Sequence, residues 1–274
     1  MLRVGIIGCG AIGTSLAEAI DTGIINKAKL VAVYDLEKNL VENLIKRLKN
    51  KPKKYNEFKT FLTESNADIV IEAASQKAVS LYAEKIISSG KDMMIMSAGA
   101  LLNEEFLKKI TKLAEEYGSY VHVPSGAIGG LDVIKAAKIN GLKKVILTTR
   151  KNPESLKGSP YFQKIMKNKN ALKKTNVIFE GVANDVVKLF PANVNVSAIL
   201  SLAGLGGANT LVRVISDPTI KKNIHELDVE GRFGKMKIIL ENSRHSSNPK
   251  TSYLAVLSAI ENLRSISEKV VIGT

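Results

Sequence analysis

Over roughly the first hundred residues, short β-branched apolar runs alternate with stretches whose apolar residues recur at helical spacing. Such alternation predicts a parallel, doubly wound sheet. Val4–Ile7 is the first predicted strand, Ala11–Asp21 a helix with Ile12, Leu16 and Ile20 on one face, and Leu30–Tyr34 a second strand. A weaker extended segment, Lys53–Phe58, precedes a strand at Ile69–Ala73, a helix at Lys77–Ser89 and a strand at Met93–Met96. Asn103 is placed to cap a helix through Tyr117, with Glu105 in its first turn, and Tyr120–Val123 closes the sheet.

At Pro124 the pattern changes. The segment Pro124–Gly130 reads as a turn between domains that feeds a helix near Leu131. Beyond it, extended runs are expected at Val145–Thr149, Val177–Phe179, Glu226–Glu230 and Lys235–Leu240, and helices at Ser159–Met166 and Ser197–Ile215. These lack regular βα alternation, so a mixed sheet with helices on one side is expected. The fold class is therefore α/β: an N-terminal Rossmann domain over residues 1–123 and a second α/β domain with a mixed sheet over 124–250. The last amphipathic helix, Ser252–Ile266, is expected to pack back on the first domain.

The sequence Gly8-Cys9-Gly10-Ala11-Ile12-Gly13 follows the first strand and opens the first helix. That context gives the G-x-G-x-x-G pattern meaning as a dinucleotide site. Gly8 allows the tight turn, Gly10 leaves room for a pyrophosphate, and Gly13 lets helix and sheet approach. The N–H groups of Ala11 and Ile12 then face the phosphate at the positive end of the helix dipole. Asp35, ending the second strand, stands where an acid binds the adenosine ribose hydroxyls. This favours NAD over NADP, although Lys38 is close enough in sequence to offset the repulsion of a 2′-phosphate. Cys9 is expected to be a small residue accommodated in the phosphate turn rather than a nucleophile.

Composition narrows the classes. Cys9 is the only cysteine of the 274 residues, which excludes an intrachain disulfide and a zinc site built on cysteine pairs. No stretch approaches the roughly 20 apolar residues of a membrane span, and no signal or transit segment is read before the first strand, so a cytoplasmic protein with no membrane partner is expected. The net charge of +14 comes from scattered lysines without interleaved aromatics or any Trp. It reads as a solvated surface that steers anionic ligands, not a nucleic-acid face.

Hydride transfer at an amine or alcohol carbon needs a group that handles a proton, and the chain offers three histidines. His122 lies in a predicted strand and His245 in a polar run. His225 opens an extended segment beside Glu226 and Asp228, either of which is a candidate to orient the imidazole. Asn193 and Asn195 alternate just before a long apolar helix, where one would cap the helix and the other face a cleft.

The combination of GCGAIGT (Gly8–Thr14), EAASQKAV (Glu72–Val79), PSGAIGGLD (Pro124–Asp132), FPANVNV (Phe190–Val196), DPTIKKNIHELDVEGRFG (Asp217–Gly234) and NPKTS (Asn248–Ser252) resembles the L-aspartate dehydrogenase family. The resemblance implies a Rossmann domain plus an α/β catalytic domain, usually in a homodimer. It also implies reversible NAD(P)-dependent oxidative deamination of L-aspartate to iminoaspartate, then oxaloacetate and ammonia, serving NAD biosynthesis. It places the catalytic histidine on His225 and further cofactor contacts on Ala127 and Asn195, the latter preferred to Asn193. Arg232, Arg244 and Lys250 are candidates to receive the substrate's carboxylates; no metal is called for. Two alternatives stand beside it. One is a reductase similar to dihydrodipicolinate reductase, which shares a PSG turn but carries a His-His pair that this chain lacks. The other is a dinucleotide-sensing DNA-binding regulator, for which no helix-turn-helix segment is visible.

Overall fold

The computed structural model describes residues 1–157, 159, 161–162, 174–190, 195–270 and 272, without the side chains of Pro249 and Lys250. Its contacts divide the chain into two compact units, Met1–Pro124 with Val256–Ile272, and Ser125–Ala255.

The first unit is built on six parallel strands: β1 (Leu2–Ile7), β2 (Ala28–Tyr34), β3 (Lys53–Tyr55), β4 (Ile69–Glu72), β5 (Asp92–Ile95) and β6 (Val121–His122). They run in the order β3-β2-β1-β4-β5-β6, so the chain reverses its direction of travel at β1, where such sheets bind dinucleotides. The helices between them are α1 (Ala11–Asp21), α2 (Lys38–Arg47), α3 (Phe58–Glu64), α4 (Gln76–Ile87) and α5 (Glu104–Tyr117). Strands buried on both faces need near-continuous apolar runs, and Val4, Ile6 and Ile7 of β1 with Ile69, Val70 and Ile71 of β4 meet that need. Asn103 does cap α5, accepting from the Phe106 N–H, and Gly118 ends it at φ +67°. The segment expected to be extended over Lys53–Phe58 is a three-residue edge strand followed by α3, and α2 joins the predicted elements; α3 is only seven residues long and buries one of them, Phe61.

The second unit opens with α6 (Leu131–Ile139) and carries the strands β7 (Leu142–Lys151), β8 (Asn176–Val182), β9 (Leu211–Ser216), β10 (Asn223–Gly231) and β11 (Gly234–Asn242). Their order is β11-β10-β7-β9-β8, with β7 parallel to β9 and the other pairs antiparallel, a mixed sheet. The helices α7 (Pro153–Leu156), α8 (Ala183–Leu189) and α9 (Asn195–Ala203), a small ribbon of β12 (Arg244–His245) and β13 (Asn248–Ser252), and α10 (Tyr253–Ser267) follow. The helix expected over Ser197–Ile215 ends at Ala203. Gly204, Gly206 and Gly207 break it, Gly206 sits at φ +80°, and the β-branched run that follows becomes β9. Most of the helix expected at Ser159–Met166 lies outside the described residues. Ala259 and Leu263 of α10 belong to the apolar core of the first unit, together with Val4, Leu16 and Val33.

Candidate active site

In the first unit the glycine turn has the shape its sequence requires. Gly8 sits at φ +97°, and a Cβ there would lie 2.7 Å from the Ala73 backbone; at Gly13 it would lie 1.9 Å from the Gly8 carbonyl oxygen. Gly10 differs, because a Cβ there would meet no protein atom within 4 Å. The first two glycine positions named are thus demanded by the protein's own packing, while Gly10 borders open space, as close approach of a pyrophosphate requires. Helix α1 starts on Gly10 with no side-chain cap and no acid in its first turn, so the N–H groups of Ala11 and Ile12 keep their attraction for an anion. These residues fit a dinucleotide's phosphates.

Asp35 stands beside this turn. Its carboxylate accepts from the Cys9 N–H (2.7 Å) and the Glu37 N–H (2.9 Å). Cys9 is buried, and burial followed by the Asp35 charge pushes its thiol up to about 12, so it is no thiolate nucleophile. Glu72, inside the EAASQKAV segment but not singled out by sequence reasoning, ends β4 fully buried. It accepts from the N–H groups of Ala74, Ser75 and Ser97 and from the Ser97 hydroxyl. Burial raises its pKa, and those four donors act in the opposite sense.

In the second unit, one face of the sheet changes character along its length. Strand residues two apart share a face. On β7 the buried positions are Val145, Leu147, Thr149 and Lys151, and on β10 they are Asn223, His225, Leu227 and Val229. The two strands run antiparallel with His225 opposite Thr149 and Val229 opposite Val145. Apolar pairs therefore gather at one end, and Thr149, Lys151, Asn223 and His225 at the other.

His225 is 1% exposed, and its Nδ1 lies 3.1 Å from Thr149 Oγ1. Burial first, then the charge of Lys151, pushes it down to about 3, so the ring is a neutral imidazole at physiological pH. The expected orientation by Glu226 or Asp228 is not what the structure has. Being one and three residues from His225 along the strand, both point to the opposite face, where Glu226 approaches Arg150 (4.0 Å) and Lys237 (3.9 Å) and Asp228 approaches Lys237 (3.9 Å). Thr149 is the ring's partner instead.

Lys151 is buried and pushed down to about 8, by desolvation and then by the neighbouring Arg244 charge. It lines a small internal cavity with Thr149, Ser197 and Phe190. Continuing the β7 alternation two residues past Thr149 would have flagged it; the apolar run alone ends too early. Asn223 is fully buried and donates from Nδ2 to Ser252 Oγ (3.2 Å). Arg244 faces Ser252 in the β12–β13 ribbon. Of the three cations named as carboxylate partners, Arg232 is exposed at the β10–β11 turn, six or seven residues of strand away from His225, and the Lys250 side chain lies outside the described residues. Arg244 remains.

Ala127 is buried in the second unit, its carbonyl accepting from Asn242 Nδ2 at 2.9 Å. Asn195 opens α9, partly buried, whereas Asn193 lies outside the described residues. His122, on β6 of the first unit, is pushed down by burial, and its Nε2 has no hydrogen-bond partner among the described residues. Nδ1 of buried His245 contacts the Ser247 hydroxyl at 3.1 Å. Among the described residues no group of His, Cys, Asp and Glu side chains is placed to hold a metal ion, and no helix is long and apolar enough to cross a membrane.

Comparison with known proteins decides the family. Residues 132–266 match the family model described as "Aspartate dehydrogenase, C-terminal", and residues 8–124 match "Homoserine dehydrogenase, NAD binding domain". The chain is 46% identical to the L-aspartate dehydrogenase of Methanosarcina barkeri and 45% identical to that of Methanocella arvoryzae, with all of each chain covered. The chain belongs to the L-aspartate dehydrogenase family. A crystal structure of aspartate dehydrogenase from Thermotoga maritima superimposes with a TM-score of 0.78 at 28% identity, covering all of both chains. As a member of this family of oxidoreductases, the protein uses a nicotinamide dinucleotide and a small-molecule substrate.

Proposed function

We propose that the protein catalyses NAD(P)-dependent oxidative deamination of L-aspartate, with His225 as the proton-transfer residue. The observation that carries the second part is the neutral, fully buried His225 ring held by Thr149 on a polar patch of sheet. With Thr149 Oγ1 accepting from Nδ1–H, the Nε2 lone pair is the basic atom. At its resting value of about 3 the ring is too weak a base for the substrate ammonium. The two carboxylates of bound L-aspartate would oppose the Lys151 charge and raise it, so that His225 takes a proton from the water that adds to the imine carbon and returns one to the departing ammonia. When bound, the nicotinamide ring supplies the acceptor for the Cα hydride. In balance, L-aspartate in its ammonium form, oxidised cofactor and water give oxaloacetate, ammonium, reduced cofactor and a proton.

Gly8, Gly10, Ala11, Ile12 and Gly13 would hold the pyrophosphate and Asp35 the adenosine ribose, with Ala127 and Asn195 as further contacts. The Asp35 carboxylate beside the turn favours NAD over NADP. On the family resemblance we also propose a cytoplasmic homodimer that supplies iminoaspartate for NAD biosynthesis, without nucleic-acid or membrane partners.

The test is reduced-cofactor absorbance with each cofactor across amino acids and 2-hydroxy acids. L-Aspartate is expected to be preferred, with glutamate and malate much poorer. Equal turnover of glutamate, or no turnover of aspartate, would overturn the assignment.

A further inference from the structure

Three basic groups sit together at the polar end of the second unit's sheet. His225 and Lys151 share the buried face, and the charge of Lys151 acts on His225 while that of Arg244 acts on Lys151. The ribbon supplies an independent geometric link. Arg244 is opposite Ser252, side chains of opposed residues in an antiparallel pair project to one side, and the Ser252 hydroxyl accepts from Asn223, two residues from His225 on the same face of β10.

Two members of this group have buried polar atoms with no hydrogen-bond partner among the described residues. Arg244 has two such donors, Nε and Nη2; Asn223 has one such acceptor, Oδ1. Leaving a buried polar group unpaired costs about 1–3 kcal/mol, and more for a charged one. Folding alone does not account for a guanidinium edge and an amide oxygen kept in that condition beside a neutral imidazole. Nε and Nη2 form one edge of the guanidinium fork, the edge that receives a carboxylate through two parallel bonds. Asn223 Oδ1 complements the opposite charge, because an ammonium is donor only.

Resting on the reading of the substrate as an amino acid with a second carboxylate, we propose that the Nε/Nη2 edge of Arg244 binds a carboxylate of L-aspartate and Asn223 Oδ1 accepts from its ammonium. Lys151, behind Arg244 in the chain of charges, raises the local potential for the anion. Together these residues select an acidic amino acid and hold its amino group on the His225 side. Arg244 is then the cation that determines specificity, and Asn223 a positioning contact for the amine.

Succinate, which has both carboxylates but no amino group, separates the two roles. Its binding is measured both by inhibition against L-aspartate at saturating NAD and by the thermal shift it causes in the NAD-saturated protein. Arg244→Met is expected to raise the KM for L-aspartate and the inhibition constant of succinate together by about tenfold or more, with Arg244→Lys intermediate and NADH binding by fluorescence unchanged. Asn223→Ser, which keeps a small polar side chain, is expected to raise the KM for L-aspartate several-fold and leave succinate unaffected. The proposal is overturned if Arg244→Met and Arg244→Lys both retain parental values, or if Asn223→Ser weakens succinate as much as aspartate. If Arg244→Met does not fold, Arg244→Lys carries the decision by the same two constants. Absence of aspartate turnover by the unmodified protein would refute the substrate assignment instead, and the thermal shift with succinate would still decide whether Arg244 receives a carboxylate.

Discussion

The Cys9 N–H donates to Asp35 Oδ2 at 2.7 Å, so the acid at the end of β2 is fastened to the turn between Gly8 and Gly10. One carboxylate thus helps shape the phosphate turn and places negative charge beside it. Asp35→Asn keeps an acceptor for the Cys9 N–H and removes the charge, whereas Asp35→Ala removes both. For Asp35→Asn the efficiency ratio of NADP to NAD is expected to rise about tenfold, the size of a Coulomb penalty of roughly 1.4 kcal/mol over a few ångströms in a partly solvated site. Asp35→Ala should show the same shift with weaker binding of both cofactors. An unchanged ratio in steady-state kinetics would mean that the acid serves the turn alone.

His225→Asn is expected to lower kcat by ~10² to 10⁴, the range for loss of a positioned acid or base, while NADH affinity stays near parental. His122→Ala and His245→Ala are the controls. A His225 variant that folds, binds NADH and turns over aspartate at close to the parental rate would end the catalytic assignment.

Burial also makes His225 a source of acid sensitivity. The folded chain holds it at about 3 against an ordinary 6.5, so between those values the unfolded chain binds a proton that the folded one refuses. Its stabilisation is therefore fully present above about pH 6.5 and is lost as the pH falls towards 3, with a slope of about 1.4 kcal/mol per pH unit. Urea unfolding of the parent and His225→Gln across this window is expected to show the shallower pH dependence in the variant. Parallel curves would mean that the ring protonates without unfolding the site.

Glu72 accepts from three N–H groups and one hydroxyl, a set that suits a carboxylate and not an amide. Glu72→Gln turns one acceptor atom into a donor facing another donor, and should cost about 1–3 kcal/mol of stability by chemical denaturation. Because Ala73 packs against Gly8, the same variant is expected to weaken NADH binding. Parental stability would show that the loops after β4 and β5 do not depend on this charge.

Much was legible without the fold because it is encoded locally. The strand Val4–Ile7, the glycines at 8, 10 and 13 and the first helix form one continuous segment whose chemistry depends on near neighbours. So does the cap at Asn103. His225 stands out among the three histidines for the extended segment it opens, and the family motif gives it the catalytic role. Its immediate neighbours Glu226 and Asp228 suggested an acidic partner, and the pleat of β10 turned both away. What the tertiary structure alone decided are pairings across long sequence separations: Thr149 with His225, Asn223 with Ser252, and Arg244 rather than Arg232 beside the buried patch. The physical reason is that hydropathy periodicity specifies which face of an element is buried, whereas strand order and register specify which buried residues meet. Register is set collectively by the whole sheet. In the second unit β7 lies between β10 and β9, neither of which is its neighbour in sequence, and no local pattern encodes that β10 lies against β7 with His225 opposite Thr149.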